Sequence, residues 1–125
     1  MAGVTREELR TLCLSLPAAT EDFPFGEDTA VFRVGGKLFA LLPVGGGSVN
    51  LKCDPERATD LRKRYDAVAP GWHQNKRHWN TVTLGGDVPD EVLEELVEHS
   101  YELVFASLPR RDRDAIDVRG AAGEG

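Results

Sequence analysis

Residues 68–84, V-A-P-G-W-H-Q-N-K-R-H-W-N-T-V-T-L, hold both tryptophans, two of the three histidines and an adjacent lysine and arginine. Three kinds of chemistry can be asked of that set. The first is binding: Trp72, His73, Asn75, Lys76, Arg77 and Trp79 combine aromatic faces with cations and amides. An aromatic face stacks a nucleic-acid base for about 1–3 kcal/mol, and a neighbouring Lys or Arg pairs with phosphate. The second is metal ligation. His73 and His78 offer two ligands where tetrahedral zinc needs three or four, and no cysteine or carboxylate stands at a completing spacing. No metal or other cofactor is expected. The third is acid–base catalysis, because a histidine beside Lys76 and Arg77 has its cationic form disfavoured and could act as a neutral base. No nucleophile with an evident partner accompanies it, since Ser48, Ser100 and Ser107 lie in ordinary strand or helix contexts. The pattern reads as a binding surface rather than an enzyme.

Composition narrows the partner. A chain of 125 residues, 41% hydrophobic and 29% charged, makes one domain around one core. A net charge of −6 and a pI near 5.0 argue against strong non-specific nucleic-acid binding, which draws on Lys and Arg displacing counterions. The charge is uneven, however. Residues 52–77 carry seven basic groups against four acidic, and residues 78–109 carry seven acids with no Lys or Arg. A local anion-binding face therefore stays open. No apolar run approaches the ~20 residues of a membrane span, and residues 1–10 lack a signal peptide's apolar stretch. A cytoplasmic protein with no membrane partner is expected, and a monomer is favoured. Cys13 and Cys53, without C-x-x-C spacing, read as reduced, buried apolar residues.

The elements that must position the central stretch follow from periodicity and turn chemistry. Thr5-Arg6-Glu7-Glu8 is a capping box opening a helix with Leu9, Leu12, Cys13 and Leu16 on one face, ended by Pro17. Residues 21–26 read as a turn-rich loop in which Phe23 and Phe25 plug the base of the sheet or Glu21 and Asp22 line a site. Strands at 29–34 and 37–42 flank Gly35-Gly36, which supplies the positive φ of a two-residue hairpin. Gly45-Gly46-Gly47 reads as a flexible connector. Residues 49–53 alternate, with Val49, Leu51 and Cys53 inward and Asn50 and Lys52 outward. Asp54-Pro55 starts a helix with Ala58, Leu61 and Tyr65 inward and Arg57, Arg62, Lys63 and Arg64 toward water.

Trp72 then starts a short strand, Asn75 to Arg77 turn, and Trp79 to Leu84 return. Val82 and Leu84 face inward, so Trp79, Thr81 and Thr83 face outward. Pro89 and Asp90 open the longest helix, apolar at Val92, Leu93, Leu96, Val97, Tyr101, Val104 and Leu108 and acidic at Glu91, Glu94, Glu95, Glu98 and Glu102. Residues 1–109 form the domain and 110–125 a charged, glycine-rich flexible tail. The expected fold is α+β: a single antiparallel five-stranded sheet with helices packed on one face, in the order α-βββ-α-ββ-α. Both tryptophans remain open between core and contact surface.

The run P-G-W-H-Q-N-K-R-H-W-N-T-V, preceded by F-P-F-G, F-R-V-G-G-K-L-F-A and L-K-C-D-P-E and followed by S-Y-E-L-V, resembles the bacterial MmcQ/YjbR family over roughly Thr5 to Leu108. The resemblance implies a frataxin-like (CyaY-like) fold and DNA binding of the "double wing" type. It carries over Lys76, Arg77, His78, Trp79 and Asn80, with Lys52 and Pro55 from the second motif. Frataxin-like iron handling does not carry over, because the first helix lacks a dense acidic ridge. The expectation is a non-enzymatic domain binding DNA through its open sheet face and the basic turn 75–80. Its contact residues would be Lys52, His73, Asn75, Lys76, Arg77, His78, Trp79 and Asn80. The alternative is a small-molecule or peptide module using the same Trp/His/Lys/Arg pocket, and an enzyme with His73 or His78 as base ranks third.

Overall fold

The computed structural model of the protein describes residues 4–24, 26–43, 47–71 and 75–116. Helix α1 (Arg6–Ser15) opens on the expected capping box, with Thr5 Oγ1 accepting from Glu8 N and Glu8 Oε1 accepting from Thr5 N, both at 3.1 Å. Strands β1 (Thr20–Asp22), β2 (Thr29–Val34), β3 (Lys37–Pro43) and β4 (Ser48–Lys52) follow, then helix α2 (Pro55–Arg64). Strands β5 (Val68–Pro70) and β6 (Trp79–Thr83) precede helix α3 (Asp90–Ala106). The strands form one antiparallel sheet in the order β1-β2-β3-β4-β6-β5.

The sheet has six strands, not the expected five. The extra one is β1, within a stretch read as loop. Three residues, T-E-D, are too few to show alternation, and their strand character comes from pairing with Arg33, Phe32 and Val31 of β2. The second hairpin strand also differs: β5 ends at Pro70, and residues 72–74, where a strand was expected from Trp72, lie outside the described residues, as do 44–46 of the glycine connector. The Gly35-Gly36 hairpin is as expected, with φ of 58° and 81°.

The three long helices pack on one face of the sheet around a single core. Leu93, Leu96, Val97, Tyr101 and Val104 of α3 face β2, β3 and β4, while Glu91, Glu94, Glu95, Glu98 and Glu102 point to solvent. Between Phe32 and Arg33 the β2–β3 register shifts, and Phe39 and Ala40 are consecutive buried residues of β3. Buried Ser100 ties α3 to the sheet by donating to Phe39 O at 2.5 Å and accepting from Lys52 N at 2.9 Å. The segment expected to fray beyond Pro109 instead begins with a short helix, α4 (residues 110–116). A seven-residue helix is marginal by itself. Ile116, 5% exposed and part of the core, supplies the tertiary anchor that composition hid. Residues 117–125 lie outside the described residues.

Candidate functional site

Antiparallel register places directly opposed residues on one face of the sheet. One lateral row therefore runs Glu21, Phe32, Ala40, Leu51, Asn80, Pro70 on the helix-covered face, and the next runs Asp22, Val31, Leu41, Asn50, Thr81, Ala69 on the other. Near each end of the inner row an arginine from a helix grips the sheet. Arg10 of α1 donates to both Glu21 carboxylate oxygens at 2.6 and 2.7 Å, and that bond lowers the Glu21 pKa. Glu21 is thereby a structural partner of α1, a role neither sequence reading offered; Phe23, expected as a plug under the sheet, is exposed, and Phe25 lies outside the described residues. At the other end, Arg62 of α2 donates from Nε to Asn80 Oδ1 at 2.7 Å.

Arg62 does more. Its Nη2 donates to Lys76 O and, at 3.2 Å, to Trp79 O. This corrects the expectation that Arg62 points to water. Positions 58, 61, 62 and 65 share one face of a 3.6-residue helix, so the period put Arg62 beside buried Ala58 and Leu61. Its charge had argued otherwise, but backbone carbonyls and an amide oxygen satisfy the guanidinium in place of water.

The turn 75–78 is pinned from several sides. Asn75 Oδ1 accepts from Arg77 N at 2.9 Å, and Asn75 O accepts from His78 N at 3.2 Å and Trp79 N at 3.0 Å. His78 O accepts from Cys53 N at 2.7 Å. With the N–H groups of Arg77, His78 and Trp79 bound internally and the carbonyls of Lys76 and His78 held by Arg62 and Cys53, the turn presents Lys76 and Arg77 as exposed cations. Lys52 ends β4 directly opposite Trp79 on the uncovered sheet face, and both are half-buried.

The eight expected contact residues thus divide by role. Lys76 and Arg77 are exposed on the turn, with Arg77 lining the cleft against α2, whereas Lys52 and Trp79 lie opposite each other on the uncovered sheet face. Asn75 is an architect of the turn, its side chain already engaged. His78 is half-buried and contributes its carbonyl to the fold. Asn80, 3% exposed, faces the core; because Arg62 only donates, it fixes Oδ1 toward itself and leaves the buried Nδ2 without an acceptor among the described residues. His73 lies outside the described residues.

The uncovered sheet face is also less open than expected. Val31 is fully buried there, between Asp22 and Leu41 in register, and Asn50 is only 5% exposed, with Thr81 Oγ1 donating to its Oδ1. Asn50 keeps the expected direction but is buried under its lateral neighbours. Beside the turn, an open cleft of about 570 Å³ is lined by Pro55, Glu56, Thr59, Asp60, Arg62 and Arg77.

The surrounding titratable groups serve structure. Burial pushes the Cys13 thiol up to about 12 and raises that of Cys53, so both stay protonated and unreactive. Asp87, its pKa lowered by N–H bonds from Ala67 and Asp66 at 2.8 Å each, fixes the turn into β5. No group of three or more His, Cys, Asp or Glu that could hold a metal occurs among the described residues.

The YjbR family profile matches residues 14–103. An uncharacterised Escherichia coli O157:H7 protein, YbdF, is 35% identical over 112 residues, spanning 88% of this chain and 92% of its own. The uncharacterised YjbR of Escherichia coli K12 is 34% identical over 112 residues, spanning 88% and 95%. A crystal structure of a Deinococcus radiodurans protein superposes with a TM-score of 0.84 at 40% identity, covering 94% of this chain and 89% of that one. A Pseudomonas syringae protein gives a TM-score of 0.60 at 32% identity over 69% of this chain and 86% of its own. Profile, sequence relatives and folds agree: the chain belongs to the YjbR family.

Proposed function

We propose that this chain is a non-enzymatic binding domain that meets nucleic-acid phosphates through Lys76, Arg77 and Lys52 and stacks a base on Trp79. One observation carries the reading: an exposed Lys–Arg pair sits on a turn braced by Arg62, Asn75 and Cys53, two residues before a half-buried indole with a lysine across the strand. Such a surface combines backbone contact with a stacking platform at little ordering cost. The acidic composition is compatible with it, because the Glu-rich side of α3 faces away from the sheet and hence from the uncovered face. A frataxin-like architecture and a cytoplasmic setting belong to the same reading. They are supported by helices on a single face of an antiparallel sheet and by the lack, among the described residues, of any helix long and apolar enough to cross a membrane.

A small-molecule or peptide ligand is the second reading. It is favoured by the cleft between α2 and Arg77, where two carboxylates and two guanidinium groups could orient a ligand of mixed charge.

The test is the salt dependence of binding to a labelled single-stranded oligothymidine and to duplex DNA. Affinity should fall steeply with salt, and Lys76→Ala/Arg77→Ala should flatten the slope by about two phosphate contacts. Absence of binding to both at low salt sinks the nucleic-acid reading and promotes the small ligand.

A further inference from the structure

We infer that Arg62 is the positioning residue of this surface: it touches no ligand itself, but it holds the turn so that Lys76 and Arg77 project as a preset pair. This rests on the nucleic-acid reading above and adds a residue that neither the motif nor the charge pattern singled out. The argument is geometric. Three acceptors on one turn and strand, Lys76 O, Trp79 O and Asn80 Oδ1, converge on a single guanidinium from a different element. The turn's own hydrogen bonds use its N–H groups and leave the carbonyls of Lys76 and Trp79 to outside donors. Trp79 O has a second donor in Gly71 N at 2.8 Å, but Lys76 O, at the tip, is held by Arg62. The tip conformation therefore depends on a side chain anchored in α2.

A planar fork suits this task, and an ammonium does not. Lysine keeps the charge but is a point donor on a flexible stem, and it cannot span acceptors on two segments with fixed geometry. Loosening the turn would make binding bear the ordering of two long side chains and their backbone. The number of phosphate contacts would stay the same, because Lys76 and Arg77 would still be present.

The experiment compares the full-length wild type with Arg62→Lys, Arg62→Gln and Lys76→Ala/Arg77→Ala. Each is measured for oligothymidine affinity across salt and for amide hydrogen exchange at Arg77, His78 and Trp79, with Leu96 and Val97 amides in α3 reporting the global fold. Both Arg62 variants should exchange faster in the turn with α3 protection retained. They should bind roughly tenfold more weakly with an unchanged salt slope. The double variant should flatten the slope and keep turn protection. Wild-type affinity in an Arg62 variant whose turn exchanges fast overturns the positioning role alone. A salt slope that falls in Arg62→Gln but not in Arg62→Lys makes Arg62 a phosphate contact and overturns it too. A wild type that binds no oligothymidine at low salt overturns the underlying reading and the proposal with it, whatever the exchange data show.

Discussion

At Gly71 the strand end comes so close to Trp79 that a Cβ there would lie 2.7 Å from the Trp79 Cβ and 3.0 Å from its carbonyl oxygen. Backbone on both sides must move to admit a methyl, so Gly71→Ala should lower stability by about 1–3 kcal/mol, read by urea denaturation. The Trp79 indole extends beyond this contact on the uncovered face of the sheet. It is half-buried, neither the bare platform nor the core plug that the sequence allowed. Trp79→Ala should then cost about 1–3 kcal/mol, short of the roughly 3–5 kcal/mol of a fully buried aromatic truncation. A loss at the upper figure would assign the ring to the core and remove it from the contact surface. Alternation predicted the direction of Trp79 correctly, because side chains on a strand must alternate. Its burial was not legible, because that depends on Gly71 and Lys52, which strand pairing brings together.

At the scale of elements, α2 is the lever between the core and the turn, and its N-terminus is held by a histidine. Asp54 Oδ2 caps the helix, accepting from Glu56 N at 3.2 Å and Arg57 N at 3.3 Å, and Asp54 N donates to His99 Nε2 of α3 at 3.2 Å. Only a neutral imidazole accepts that bond. Burial, followed by the nearby Arg57 charge, holds the His99 pKa below its ordinary value, while Asp54 and Glu102 pull the other way. The unfolded chain therefore takes up the proton first. This contribution to stability is fully present above pH ~6.5, the ordinary histidine value, and is lost as pH falls through the lower folded value. The urea midpoint should decline on acidification below about pH 6.5. His99→Gln, whose amide oxygen can accept the same N–H without titrating, should flatten that part of the curve. Coincident curves for the two proteins would disprove the device. The helix start at Asp54-Pro55 was legible because capping is local. His99 and Arg62 were not, because each acts on a segment far along the chain.

The molecule as a whole is a two-layer sandwich whose charge is unevenly spread over its surface. Acid lies on the solvent side of α3, and the exposed cations Lys76 and Arg77 lie at the rim of the sheet. Leu96, 3% exposed, sits under α3, whereas Glu95 is on its wet side. Leu96→Ala should cost about 2–5 kcal/mol and Glu95→Ala no more than about 0.5 kcal/mol. Thermal melting of the pair checks the helix phase, since equal shifts would contradict it. This uneven spread is how a net charge of −6 coexists with a candidate anion-binding surface. Net charge is a sum over the chain, while a ligand meets one face of it.

What the sequence determined by itself was whatever local rules govern: the capping box at Thr5, the glycine hairpin at 35–36, the helix start at Asp54, the phase of α3 and the direction of Trp79. It also marked residues 68–84 as the stretch densest in side chains that could bind a ligand. Tertiary structure decided the rest. It made a strand of Thr20–Asp22 by pairing it with β2, and it made a helix of 110–116, where Ile116 is buried in the core. It buried Asn50 between lateral neighbours and split one motif into side chains that build the turn and side chains that the turn displays. It also turned Arg62 from a solvent charge into the brace of that turn. The physical reason is common to all of these: a hydrogen-bond acceptor or an apolar slot supplied by a distant segment has no signature in local periodicity, yet it outweighs the local preference once the chain closes.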